Sequence, residues 1–454
     1  MTDAYETLKT SILALMEAKK YAVLRDILIT MNAADIASLC DDISEEYIPK
    51  LFRLLPKELA ADTFVEMEPE TQELLIKGFS DNELKEVVDE LYVDDAADLV
   101  EEMPANVVTR ILAQADTEKR RMINTILNYP EDSAGSIMTT EYVSLRPHMT
   151  AEEAILHIRR SGIEKETIST CYITNKMRQL MGVVTIREII MADPETTMEE
   201  IIGDDATTPI FVYTTDDQEE VAQQFSKYNM MAMPVVDKEN RLVGIVTVDD
   251  VLDVMEEETT EDIEKMAAIV PQDKPYLKQT TIELWKSRMP WLLLLMISAT
   301  FTGMIITSFE DALAKYVILT AYIPMLMDTG GNSGSQASVT VIRGISLGDV
   351  EFSDIFKVIW KEMRVAVLCG LTLAACNMVK LLLFDKLTFI VALTICLTLV
   401  VTIFCAKLVG CTLPLFAFKL GFDPAVMASP FITTIVDAIS LLVYFQFATR
   451  LLGI

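Results

Sequence analysis

The sequence predicts a multidomain chain with an α-helical, solenoid-like N domain, a tandem pair of α/β domains, an acidic connecting helix and an all-α membrane domain of five transmembrane helices. Three observations predict it. Short amphipathic helical patterns fill the chain up to about residue 128, one β-rich pattern occurs twice between about 137 and 256, and the composition turns apolar from Pro290 onward. The segments that follow are 1–128, 129–200, 201–256, 257–277 and 278–454. A chain of 454 residues has room for this, since single domains usually run to about 100–150 residues.

In the N domain the triplet Ala-Ala-Asp recurs at 33–35, 60–62 and 96–98, inside AADIASLC, LAADTFVEM and DAADLVEEM. Repeated helical units of this kind stack so that each buries its apolar face on the next. The start of the chain has no basic stretch followed by an apolar one, so no signal peptide is expected and the N-terminus stays in the cytoplasm.

Charge divides the chain. From Lys278 to the end there are 13 Lys/Arg and 11 Asp/Glu; of 38 and 68 in the whole chain this leaves 25 and 57 before Lys278, a net of −32. Such an excess repels nucleic acid and anionic lipid and favours counter-cations, although a solvated acidic surface is the commoner meaning of such a balance. Seven cysteines without a CxxC pair and only two histidines, His148 and His157, argue against a zinc or copper site.

The duplicated pattern reads TCYITNKMRQLMGVVTIREII in its first copy and AMPVVDKENRLVGIVTVDDVL in its second, with Gly182 matching Gly244. Each copy predicts a strand, a turn, a second strand and a helix opened by Thr185 or Thr247. The two α/β units are expected to pack about a pseudo-twofold axis. After them EEETTEDIEKMAAIV predicts an acidic helix placed between these units and the membrane.

Five apolar stretches can be drawn, at 290–309, 313–342, 358–384, 388–417 and 424–452, with Pro324, Pro414 and Pro430 inside the second, fourth and fifth. Each is long enough for about 30 Å of hydrocarbon. With the N-terminus inside, Lys286, Arg288, Arg343, Lys357, Lys361, Arg364 and Lys419 face the cytoplasm, which the positive-inside rule favours.

Asp437 lies deep within PFITTIVDAISLLVYF. A lone carboxylate there costs about 2.5–3.5 kcal/mol on insertion scales, so it must face a partner or water, and such residues mark ion pathways more often than packing pairs. A strongly hydrated divalent cation such as Mg²⁺ suits it, because one or two carboxylates hold that ion through its waters. The second stretch carries Gly330, Gly331, Gly334 and Gly344 among Asn332, Ser333, Ser335 and Gln336, which suits either close helix packing or the wall of a hydrated pore. Asp328 is ambiguous in the sequence, a pore mouth being one place for it.

Taken together, PMLMDTGGNSGSQ, DPAVMASPFITTIVD, the helical repeats and the duplicated unit with its Gly-apolar-apolar-Thr-x-x-acid signature resemble the MgtE-type magnesium transporter family over the whole chain. The duplicated unit resembles a tandem pair of CBS domains. The resemblance implies a homodimeric Mg²⁺ channel in the cell membrane, with cytoplasmic N-terminal domains, Asp437 as the pore aspartate, and regulatory Mg²⁺ sites that close the pore. It carries over Asp62, Asp94 and Asp98 in the N domain and Asp217, Glu219, Asp250 and Asp253 in the second CBS unit. Glu258, Glu261 and Asp262 follow on the connecting helix, and Asp423 before the last span. Thr247 and Asp250 keep the family's Thr-x-x-Asp form, a candidate site for ATP. The first copy departs from it with Glu188 beside Arg187, and Ser440 stands where members often have glycine.

No GxxxxGK[ST] loop and no nucleophile–base pair with catalytic spacing occurs in the sequence, which argues against an ATP-driven pump and an enzyme. Two alternatives stand beside Mg²⁺ flux down its electrochemical gradient. One is a broader pathway admitting Mn²⁺ or Co²⁺, and the other a membrane-anchored sensor that transports nothing.

Overall fold

The computed structural model describes residues 2–203, 209–272, 274, 276–427 and 429–453. It divides into two compact units, Met1–Val254 and Met255–Ile454.

The first unit begins with α1 (Thr2–Glu17), α2 (Tyr21–Leu28), α3 (Ala33–Asp42), α4 (Ile48–Phe52), α5 (Lys57–Val65), α6 (Pro69–Gly78), α7 (Asp81–Glu90), α8 (Val93–Glu102), α9 (Ala105–Gln114) and α10 (Thr117–Ile126). Starts are marked chemically. Pro56 and Pro104 precede α5 and α9, and Ser80 with Glu83 forms a capping box on α7. Helices pack on the one two positions further along, α3 on α5, α5 on α7, α7 on α9 and α8 on α10, and one continuous core from Ile12 to Ile126 results. This is the stacked arrangement expected of repeats. Its Ala-Ala pairs are buried in the second and third copies, Ala60-Ala61 and Ala96-Ala97, whereas Ala34 in the first turn of α3 is exposed.

Two small α/β domains follow. The first holds β1 (Tyr142–Leu145), α11 (Ala151–Ser161), β2 (Thr167–Thr174), β3 (Leu180–Thr185), α12 (Ile186–Met191) and α13 (Met198–Ile202). The second holds β4 (Val212–Tyr213), α14 (Gln218–Tyr228), β5 (Ala232–Val236), β6 (Leu242–Thr247) and α15 (Val248–Met266). Each sheet has a parallel pair followed by an antiparallel one. The pseudo-twofold is visible in reciprocal bonds. Leu180 N donates to Asn240 O at 3.1 Å and Leu242 N to Arg178 O at 2.9 Å, and Arg178 and Asn240 both adopt positive φ at matching turn positions. Gly244 lies so close to Met138 that a Cβ would stand 2.6 Å from its sulfur.

The second α/β domain and the acidic segment share one helix. α15 runs unbroken over 19 residues, because nothing between Val248 and Met266 is a glycine or proline.

The second unit continues with α16 (Thr281–Ser308), α17 (Glu310–Lys315), α18 (Ile323–Ser346), α19 (Ile355–Leu383), α20 (Phe389–Lys419) and α21 (Ser429–Leu452). α18, α20 and α21 pack on one another, with α19 against α20 and α16 against α21. Among the described residues, α16, α19, α20 and α21 lie in the four segments long and apolar enough to cross a membrane. α18 is the departure. Its 24 residues span about 36 Å, enough in length, but its Gly, Ser, Asn and charged positions lower its hydropathy. Pro324 and Pro430 sit in first turns, where the missing N–H has no partner to lose, leaving Pro414 interior and adding Pro290 within α16. α16 starts nine residues before the apolar stretch, opened by a Thr280–Glu283 capping box.

Candidate cation sites

The start of α8, the segments before β1 and β2, and the start of α15 converge. They bring together Asp94, Asp95 and Asp98 from α8, Glu141, Glu166, and Asp249 and Asp250 from α15, so that these carboxylates act on one another electrostatically. Burial first, and then Asp250 and its acidic neighbours, hold the Asp94 carboxyl well above the usual range. The same two causes push Asp98 up to about 8, with Asp250 again foremost among its neighbours, and Glu166 up to about 8, with Asp249 foremost. Asp250 rises to about 7 and Asp95 to about 6, burial leading in both, against hydrogen bonds from Thr247 and from the Tyr92 backbone. Asp98 lies at the solvent-exposed edge of the cluster, whereas Asp94 is 6% exposed.

Two buried oxygens in this crevice, Asp94 Oδ1 and Glu166 Oε2, have no hydrogen-bond partner. Buried oxygens without donors are rare and expensive. They fit a hydrated cation, although among the described residues no three His, Cys, Asp or Glu side chains stand at a spacing that would hold a metal ion. Glu141 is fixed otherwise, accepting from Thr139 Oγ1 at 2.9 Å and from Val93 N at 3.3 Å. Lys119 is buried beside the cluster with its ammonium on the carbonyls of Asp89 and Leu91. Burial lowers its pKa, and Glu141 leads the acids that oppose the change.

The other cytoplasmic acids expected from sequence lie differently. Asp62 is exposed on α5, its carboxyl raised by burial and by Glu58. Asp217 caps α14, accepting from Glu219 N at 2.9 Å, and Asp253 lies on an exposed face of α15. At the nucleotide candidate, Thr247 Oγ1 donates to Asp250 Oδ2 at 2.6 Å, so the pair caps α15. Thr185 and Glu188 do the same on α12, which accounts for Glu188 there.

In the second unit, Glu261 and Asp262 of α15 meet Asp423. Lys265 stands between them, its Nζ 2.5 Å from Glu261 Oε1 and 2.7 Å from Asp423 Oδ2. Asp262 accepts from Ser346 Oγ at 3.3 Å. Burial, followed by Asp423, raises its carboxyl. Glu258 lies half-buried one turn earlier.

Asp437 is half-buried on α21, and the acid whose charge it feels is Asp328 of α18. The α18 glycines bring that helix against α21 around it. A Cβ on Gly331 would stand 2.9 Å from Thr433 Cγ2, and one on Gly330 3.0 Å from Val436 Cγ1. Ser440 is buried facing Gly330, its hydroxyl donating to Val436 O at 2.6 Å. The larger side chain is thus accommodated by a glycine opposite.

Asp95, Glu141, Glu166, Asp249, Lys119 and Lys265 escaped the sequence reading. The doublets Asp94-Asp95 and Asp249-Asp250 were the available signal, while Glu141 and Glu166 are isolated in the chain.

An apolar helical bundle carrying a half-buried carboxylate, in one chain with a cluster of buried acids, is the pattern of a cation-handling membrane protein. Residues 323–447 match the MgtE divalent cation transporter family, residues 31–132 the MgtE intracellular N domain, and residues 134–195 and 198–257 the CBS domain. The chain is 36% identical to the magnesium transporter MgtE of Thermus thermophilus over 98% of its length and 99% of that protein's. It is 31% identical to that of Bacillus subtilis, covering 98% and 97%. The crystal structure of the cytosolic domain of the Mg²⁺ channel MgtE in complex with ATP, 36% identical, covers 54% of this chain and 99% of that one with a TM-score of 0.51. The chain belongs to the MgtE family of magnesium transporters.

Proposed function

We propose that the chain forms a homodimeric, Mg²⁺-selective channel that imports Mg²⁺ down its electrochemical gradient and closes when cytosolic Mg²⁺ fills its acidic sites. One observation carries the regulatory part, the crevice with buried, donor-free oxygens on Asp94 and Glu166. Once the acids are deprotonated, like charges push such a crevice apart, and a divalent cation, by displacing the protons, reverses the sign of the interaction. An ion shifts the gate only by its differential affinity for the closed state, and moving it from 1:99 to 99:1 takes about 5.5 kcal/mol. Several weak sites acting together can supply that, so inhibition is steep. In the pore, Asp437 from each protomer would provide the pair of carboxylates that suits a hydrated Mg²⁺. The relatives named as magnesium transporters support the choice of ion. ATP at Thr247 and Asp250 draws support from the ATP complex of a relative's cytosolic domain. Any such ligand competes with the Thr247–Asp250 bond.

Mg²⁺ flux into liposomes carrying purified protein, at low and high Mg²⁺ on the cytoplasmic side, tests the reading. Wild type conducts only at low Mg²⁺. The combined Asp94→Asn, Asp98→Asn and Asp250→Asn variant keeps conducting at high Mg²⁺, and Asp437→Ala loses Mg²⁺ selectivity. Closure of the triple variant at the wild-type Mg²⁺ concentration rules out the crevice as sensor. Absence of flux in wild type leaves only a sensor.

A further inference from the structure

We propose that Lys265 is the built-in counter-cation of the Glu261–Asp262–Asp423 cluster, and that Mg²⁺ acts there by ion exchange, entering as the ammonium leaves. The inference rests on the reading of these acids as a cytosolic Mg²⁺ site and names how that site is regulated.

The geometry is that of an occupied bridge. Lys265 Nζ lies 2.5 Å from Glu261 Oε1 and 2.7 Å from Asp423 Oδ2, so one cation already links the two carboxylates. The other Asp423 oxygen is held by Ala425 N at 2.7 Å, so both of its oxygens are committed. The Lys265 side chain is 23% exposed, against 45% for Lys50 and 58% for Lys77 in helical surface pairs. It is therefore more enclosed than those surface lysines, and it meets two carboxylates where each of them meets one. Its neighbour Met266 packs with Ile342 and Ala425, which fixes this face of α15 beside Asp423.

Three carboxylates and one ammonium leave the cluster two negative charges. A divalent ion added beside the ammonium would face a like charge at close range, so the two cations exclude each other. Exchange has two consequences. Without Mg²⁺ the ammonium still links α15 to Asp423, so this contact does not fall open. With Mg²⁺, the ion competes against a tethered amine, which raises the Mg²⁺ concentration at which the site fills above the value the acids alone would set.

The test uses the full-length protein in detergent or nanodiscs. Amine acylation read by mass spectrometry follows Lys265 against exposed Lys238, and calorimetry follows Mg²⁺ binding. On the proposal, Mg²⁺ raises the acylation of Lys265 in wild type. Lys265→Met binds Mg²⁺ at this site about tenfold more tightly, equivalent to about 1.4 kcal/mol, and Lys265→Arg shifts far less. Acylation that stays constant or falls with Mg²⁺, or a Lys265→Met midpoint that is unchanged or higher, overturns it. If Glu261→Gln with Asp423→Asn leaves the Mg²⁺ isotherm as in wild type, these acids are no Mg²⁺ site; the underlying reading then falls and takes the exchange with it.

Discussion

In the cytoplasmic unit, Asp94 and Glu166 each hold a buried carboxylate oxygen that no donor reaches, whereas in the membrane unit Glu261, Asp423, Asp385 and Glu362 are met by lysines of the same unit. Lys265 sits on Glu261 and Asp423, Lys380 on Asp385 at 2.9 Å, and Lys407 on Glu362 at 3.3 Å. Asp385 also accepts from Tyr322 OH at 2.8 Å, which fastens the outer approach to α18. The difference separates two uses of charge. A paired charge fixes helices whatever the solution contains, and an unpaired one makes the structure answer to a ligand. On the proposed function Asp437 belongs with the second group despite lying in the membrane unit, since the charge acting on it among the described residues is another acid, Asp328.

The largest effect is expected where the pairing is deepest. The side chains of Lys407 and Glu362 are 6% and 15% exposed, so removing one partner strands the other in a low dielectric. Lys407→Met should destabilise the chain by about 3–5 kcal/mol, and combining it with Glu362→Met should recover most of that loss. Thermal unfolding in detergent measures both. A single variant as stable as the double would break the contrast, because pairing would then contribute nothing to the membrane unit.

The crevice should respond to pH in a way the paired sites do not. Asp95, Asp250, Asp98 and Glu166 have carboxyls raised to about 6, 7, 8 and 8, by burial first and acidic neighbours second. Between the unfolded value near 4 and these folded values, the native state binds more protons than the unfolded one. Without Mg²⁺, the stability from these groups is therefore fully present below about pH 4 and lost as pH rises through about 6–8. On the proposed function Mg²⁺ binds the deprotonated forms, so its stabilisation should grow over the same window. Hydrogen-exchange protection of α8 in the full-length protein, corrected for intrinsic rates, should fall from pH 6 to pH 8 without Mg²⁺ and recover with it. Asp94→Asn should flatten both trends. Greater Mg²⁺-free protection at pH 8 than at pH 6 would reverse the sign and remove the crevice from the sensing scheme.

What the sequence made legible follows the range of the interactions. The duplication was readable because Gly182 and Gly244, and the caps at Thr185 and Thr247, are local requirements of a strand–turn–strand–helix unit. Asp94, Asp98 and Asp250 came through the family resemblance, but Glu141 and Glu166 join them only through the fold, 47 and 72 residues along the chain from Asp94. Asp217 was read as a regulatory acid, and the fold adds that one of its oxygens caps α14, a use that short acids before helices commonly have. Lys265 was hidden for the opposite reason. An i,i+4 Glu–Lys pair on an acidic helix looks like routine surface charge until Asp423 arrives from 158 residues away.

The smallest effect concerns packing beside Asp437, where the membrane unit relies on close approach and no charge is paired. A Cβ on Gly330 would stand 2.6 Å from Thr402 Cγ2, 3.0 Å from Val436 Cγ1 and 3.1 Å from Ser440 Oγ. Gly330→Ala should therefore cost about 1–3 kcal/mol by overpacking. Ser440→Gly should cost only about 0.5 kcal/mol, the difference in helix propensity, because the lost hydroxyl bonds its own helix at Val436 O. Together the two should cost less than their sum, since emptying position 440 removes one of the three contacts. The relief stays partial because Thr402 remains, so the coupling is a few tenths of a kcal/mol, near the limit a thermal-unfolding cycle resolves. Strict additivity would mean that the serine does not share this space with Gly330. The departure at position 440 would then rest on its hydrogen bond alone.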